Sequence, residues 1–202
     1  MSPNQFHPAE LRTLRRLATP EKVQRFLDDL AYNKEPHGPT VRSPRRVLRD
    51  RTAHCLEGAI FAAAALRVNG FPPLVIDLEA VRDTDHVVAV YRRYRHWGAV
   101  ATSNYSGLRF RDPVYRTLRE LALSYFPHYF NLAAEKTLRT FSRPVDLRRF
   151  DPIGWMTAEH DVWAIPEYLC EISHTPLLTD AVARRLTRMD KRLLEAGKVG
   201  TV

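Results

Sequence analysis

An α+β fold is predicted by three observations. The segment Cys55 to Leu66 (CLEGAIFAAAAL) is apolar on nearly every face of a helix, three strand-like runs follow it directly, and helical periodicity returns on both flanks. A helix that is apolar all round must be covered all round, so this segment is expected at the centre of the molecule.

The elements follow in order. Leu11, Leu14 and Leu17 form one apolar stripe, and Val23, Phe26, Leu27 and Leu30 form another, giving two short helices within residues 8–32. Thr19-Pro20 between them supplies a cap and a first-turn proline. Asn33 to Pro44 holds three prolines and a glycine and is a loop. Thr52 is expected to cap the central helix and Asn69-Gly70 to end it, because glycine tolerates the left-handed conformation there. Strands are expected at Pro73–Leu78, His86–Tyr91 and Gly98–Ser103, the last two joined as a hairpin through Arg92–His96. After Asp112-Pro113 the helical pattern of Leu118, Leu121 and Ala122 leads into an aromatic cluster, Tyr125, Phe126, Tyr129 and Phe130. Residues 140–165 are irregular, and Val182, Leu186, Met189 and Leu193 make one face of a last helix that Gly197 ends. No linker divides the chain. A single domain over 1–202 is expected, with its core at about 50–113 and helical extensions at 8–32 and 114–197.

Composition excludes several classes. Two cysteines among 202 residues exclude a disulfide scaffold and a four-cysteine zinc cage. The longest apolar run, Ala59–Leu66, is well short of the roughly 20 residues of a membrane span. The N-terminal stretch lacks an apolar signal core. A soluble, cytoplasmic chain with no membrane partner is expected. The net charge is +8, and 26 of the 31 basic residues are arginine. They are scattered through every third of the chain, as solvated surface charge would be.

Cys55 carries the chemical argument. It falls in the first turn of the central helix, where free N–H groups and the helix dipole favour a thiolate. His86 opens a strand that should pack on that helix, and a nucleophilic thiol needs a base within hydrogen-bond reach. If Tyr91 pairs near Trp97, His86 lies opposite Thr102, and Asn104 shares their face. Asn104 could then fix the imidazole tautomer; a slip of one residue would present Ser103 instead. Asp112 is the alternative third member. Cys170, in an apolar segment, is expected to be a buried thiol.

The stretch Ala53-His54-Cys55-Leu56-Glu57-Gly58-Ala59, the run through Asn69-Gly70-Phe71-Pro72-Pro73, and Asp85-His86-Val87-Val88-Ala89-Val90-Tyr91 to Trp97 resemble the transglutaminase-like branch of the papain-like cysteine proteases. The resemblance covers about Asp50 to Pro113 and lies in the order and spacing of the residues. It implies a papain-like fold in which Cys55 attacks an amide carbonyl of a peptide or protein and His86 serves as base, without cofactor or metal. Hydrolysis and transfer both remain open. Three departures stand out. Ala53 replaces a glycine frequent in the family, Asp112-Pro113 comes late after Trp97, and no upstream glutamine is placed for an oxyanion hole. Gln24 lies on an N-terminal helix, which leaves Asn33 as a donor to consider.

A binding module is the alternative function. Arg42, Arg45, Arg46, Arg49 and Arg51 cluster before the central helix, and Tyr91-Arg92-Arg93-Tyr94-Arg95-His96-Trp97 interleaves cations with aromatics. Either could face nucleic acid or an acidic partner. Asp83, Asp85 and His86 are too few to complete a metal site, and aspartates in a turn before a strand need no metal.

Overall fold

Helix α4 (Cys55–Val68) lies at the centre of the computed structural model, which describes residues 5–201. Every residue from Glu57 to Leu66 is buried, as its all-round apolar sequence requires. Helices α1 (Pro8–Arg16), α2 (Pro20–Asp28) and α3 (Pro44–Asp50) pack around it. Thr19 caps α2 by accepting from the Lys22 N–H, with Pro20 in the first turn as expected. Two short parallel strands, β1 (Ala31–Tyr32) and β2 (Thr52–Ala53), fasten the end of α2 to the start of α4.

The other side of α4 rests on an antiparallel sheet. Its strands are β3 (Leu74–Ala80), β4 (His86–Arg93), β5 (His96–Val100), β6 (Arg111–Tyr115), β7 (Leu138–Ser142), β8 (Val145–Asp146) and β9 (His174–Pro176). Their order is β6-β5-β4-β3-β7-β9, with β8 also paired to β3. Alternation sorts the side chains. Val75, Val87, Ala89, Tyr91 and Val100 join the α4 core. Ile76, Leu78, Val88, Val90, Ala99 and Ala101 join a second core, with Leu121, Ala122 and Tyr125 of α5 (Leu118–Tyr125). The result is α+β, with helices on both faces of the sheet. Among the described residues no helix is long and apolar enough to cross a membrane.

Several expectations need correction. The β4–β5 hairpin forms, but Tyr91 pairs with Gly98 and Ala89 with Val100, one residue away from the expected register. Two residues with left-handed backbone at its tip, Tyr94 (φ 52°) and Arg95 (φ 67°), tighten the turn and set that register. The helix begins at Cys55 and not near Thr52, whose hydroxyl donates to the Ala31 carbonyl across the β1–β2 pair at 3.0 Å. Residues 114–197 are not a helical extension, because β7, β8 and β9 complete the main sheet. The last helix is broken as well. Helices α6 (Ala164–Glu171), α7 (Asp180–Ala183) and α8 (Lys191–Gly197) are separate, and Met189 N–H donates to the Ala134 carbonyl between the last two. Val182 of the expected stripe is exposed, while Gly197 packs so closely on Phe130 that a Cβ would lie 2.6 Å from its ring.

Candidate active site

Cys55 is the first residue of α4, so its own N–H points away from the helix without an intrahelical acceptor. The residue before it, His54, is the N-cap, and its backbone N–H donates to Glu57 Oε2 at 3.1 Å. Glu57 is fully buried. Its carboxylate also accepts from Asn33 Nδ2 at 3.0 Å, Thr40 Oγ1 at 2.8 Å and Arg42 N at 3.0 Å. A buried carboxylate is tolerable only with such a set of donors, and here the set ties the 33–42 loop to the start of the helix.

Two imidazoles meet the thiol. His54 Nε2 lies 2.9 Å from the Thr40 carbonyl oxygen, and His86 Nε2 lies 2.8 Å from the Leu108 carbonyl oxygen. A carbonyl only accepts, so both Nε2 atoms carry hydrogen, and both rings also lie within hydrogen-bond reach of the Cys55 thiol. His86 opens β4 and is buried, with its ring edge-on to Tyr125 and Tyr129 at centroid distances of 6.1 and 6.4 Å.

The charges follow from this geometry. Burial pushes the Cys55 thiol up, but the hydrogen bonds and positive charge of His54 and His86 outweigh it and hold the thiol down at about 6. Burial likewise disfavours the charged form of His54. Its hydrogen bond to Cys55 and the negative charge of Glu57 nevertheless raise it to about 9. Near neutral pH the arrangement is therefore a thiolate beside an imidazolium.

The thiol opens on a cavity of about 50 Å³ lined by Tyr32, Asp83, Asp85, His86, Ser103 and Tyr105, among others. Larger cavities of about 500 Å³ lie elsewhere, but neither holds a cysteine–histidine pair. Asp83 accepts from Thr84 N and Thr137 Oγ1, and Asp85 from Ala80 N; these bonds shape the turn leading into β4.

The structure brings Cys55 and His86 together but gives the third position to a main-chain atom. The His86 nitrogen expected to meet Asn104 is bonded to the Leu108 carbonyl. The cavity wall passes from Ser103 to Tyr105 without Asn104. This follows from the shifted register. Thr102 instead faces α4, where its Oγ1 would lie 2.5 Å from a Cβ on Gly58. Asp112 is exposed on β6, at the far end of the hairpin from His86. Neither Gln24, set aside on sequence grounds, nor Asn33, the donor to consider, is available for an oxyanion. Gln24 is bonded to both the N–H and the carbonyl of Ala101, and both Asn33 amide hydrogens go to Thr40 and Glu57. Cys170 is exposed, contrary to expectation. His54 was not singled out by sequence. The usable signal was its place immediately before Cys55, with Glu57 three residues on, the spacing of a reciprocal helix cap.

The arginine cluster before α4 is largely neutralised. Arg42 pairs with Asp50 and Glu57, Arg45 with Glu10, Arg46 with Asp161 and Arg49 with Glu159. In the hairpin, Arg93 pairs with Glu21 and Arg92 lies over the Trp97 ring.

No family model matches the chain, and no curated protein matches it. Fold and site together describe an α+β protein with a thiol, at the start of a buried helix, facing two histidines.

Proposed function

We propose that the protein is a thiol-dependent acyltransferase or amide hydrolase with a papain-like, transglutaminase-like core, acting on a carboxamide of a peptide or protein. The observation that carries this is the Cys55 thiol in the first turn of α4, sharing a cavity with His86 and hydrogen-bonded to both His54 and His86, which hold it down at about 6 against the opposing effect of burial. An inert buried cysteine would be pushed the other way.

In the proposed mechanism the Cys55 thiolate attacks the amide carbonyl carbon. His86, having taken the thiol proton as Cys55 ionises, delivers it to the leaving nitrogen as the C–N bond breaks, leaving a thioester on Cys55. His86 then takes a proton from water or from an acceptor amine, which attacks the thioester and releases the acyl group. The Leu108 carbonyl fixes the tautomer and ring orientation of His86, the role expected of Asn104. His54, cationic near neutral pH, balances the thiolate and leaves proton transfer to His86. The oxyanion would be met by the free Cys55 N–H and by the hydroxyl of Tyr32, a cavity-lining residue whose phenol is kept protonated by burial and then by the Cys55 charge. The cavity has room for only a few water molecules, which suits a narrow carboxamide head entering from outside.

The test is acyl-enzyme formation. The Cys170→Ser protein is treated with p-nitrophenyl acetate and followed by nitrophenolate release and intact mass. A burst with one acetyl group mapped to Cys55, absent in Cys55→Ala and slowed in His86→Ala, is expected. Release without a Cys55 adduct would refute the proposal.

A further inference from the structure

A second cavity, of about 500 Å³, lies on the other side of the turn that walls the Cys55 site. Five cations line it, Arg82, Lys136, Arg139, Arg184 and Arg188, against two carboxylates, Glu135 and Asp180. The arginines before α4 find acidic partners, whereas these largely do not. Arg82 pairs with Glu135 at 3.0 Å, and among the described residues it is the only one of the five with a carboxylate within ion-pair distance. Arg139 spends Nη1 on the carbonyls of Lys136 and Leu138, Arg188 donates to the Ala133 carbonyl, and Lys136 donates to Thr187 Oγ1. The Arg184 side chain has no hydrogen-bond partner among the described residues and is exposed.

Like charges crowded around one space cost free energy unless a counter-charge sits among them. Arg139 registers that cost: burial, and then the charge of Arg82 beside it, pull its guanidinium below the ordinary arginine value. Arg82 itself is held with left-handed backbone, φ 57°, an uncommon state for a residue with a side chain.

We propose that this cavity binds a small molecule carrying two or more adjacent phosphate groups. The cations come from three segments, the 81–82 turn, the 136–139 strand start and residues 184–188, around a space of about 500 Å³ that is larger than one phosphate fills. The volume falls in the range of small-ligand sites, and guanidinium groups match phosphate oxygens in pairs. Thr137, between Lys136 and Arg139 in the chain, donates to Asp83 of the Cys55 cavity at 2.7 Å, so a ligand here would lie against the segment that braces the thiol site. The proposal does not depend on the chemistry assigned to Cys55.

The test is calorimetric titration of the full chain with inorganic pyrophosphate at about 0.15 M salt, where loose surface attraction is screened. Inorganic phosphate is the comparison. One saturable site, at least tenfold tighter for pyrophosphate, is expected, weakened about tenfold or more in Arg184→Gln and in Arg139→Gln. Arg184 makes no side-chain contact that folding needs, so its variant remains informative if Arg139→Gln is unstable. Arg95→Gln, in the distant hairpin, should bind like the parent. Absence of saturable binding, equal affinity for phosphate, or full affinity in Arg184→Gln would overturn the proposal.

Discussion

His86 donates its Nε2 hydrogen to the main-chain carbonyl of Leu108, 2.8 Å away. Since no side-chain substitution removes that acceptor, orientation of the His86 imidazole should survive changes at the polar residues nearby. Asn104→Ala and Asp112→Asn are expected to leave the titration of Cys55 where it is in the parent. The pH dependence of thiol alkylation in the two variants checks this. A midpoint raised as far by Asn104→Ala as by His86→Ala would return the role to Asn104.

Glu57 is the most heavily bonded acid of the site. Replacing it with glutamine removes the charge that four groups share and turns one acceptor oxygen into a donor facing other donors. The expected loss is about 2–4 kcal/mol in urea unfolding, the usual scale for breaking a buried charged network. The thiol should also titrate higher, because His54 loses its counter-charge. Unchanged stability would show that the loop is held by other contacts.

Gly58 tests the packing of α4 on the end of the hairpin. Alanine there gains about 1 kcal/mol in helix propensity, but its Cβ would stand 2.5 Å from Thr102 Oγ1 and 2.8 Å from Thr102 Cβ. Overpacking of this kind costs about 1–3 kcal/mol, so Gly58→Ala should melt lower than the parent. A higher melting temperature would mean that the 101–103 segment yields freely.

Asp77, on the α4 face of β3, pairs with His174 Nε2 at 3.1 Å. Burial first, and then the charge of Asp85, raise its carboxyl to about 6. Between its ordinary value near 3.9 and about 6, the folded protein keeps a proton that the unfolded chain has lost. This group therefore costs stability as pH rises through that window. Asp77→Asn is expected to gain stability relative to the parent from pH 4 to pH 6, measured by urea unfolding at each pH. A difference that is flat or falls with pH would contradict the assignment.

How much of this was legible in the sequence depended on how local the signal was. The buried α4, the three strands after it and the Thr19-Pro20 cap rest on periodicity and local chemistry, and all form close to where they are expected. The hairpin register turned on two residues, Tyr94 and Arg95, adopting left-handed backbone that nothing in their types demands. That one-residue shift moved Thr102 onto Gly58 and left the third position to a carbonyl, which has no sequence signature. The strands β8 and β9 are two and three residues long and pair with distant partners, so no local pattern marks them. Cys55 and His86 were legible because helix position and strand position each constrain a chemically uncommon residue. His54 and Tyr32 emerge only when the loop and the short β1–β2 pair fold against the helix.

The pairing of Cys55 with its two histidines can be read from the pH dependence of Cys55 alkylation with iodoacetamide in the Cys170→Ser background, repeated with His54→Ala and with His86→Ala. A midpoint at about 6 is expected, moving up toward the free-thiol value of about 8.5 when either histidine is removed. A Cys55 that titrates like a free thiol in all three proteins, or that reacts only after unfolding, would contradict it.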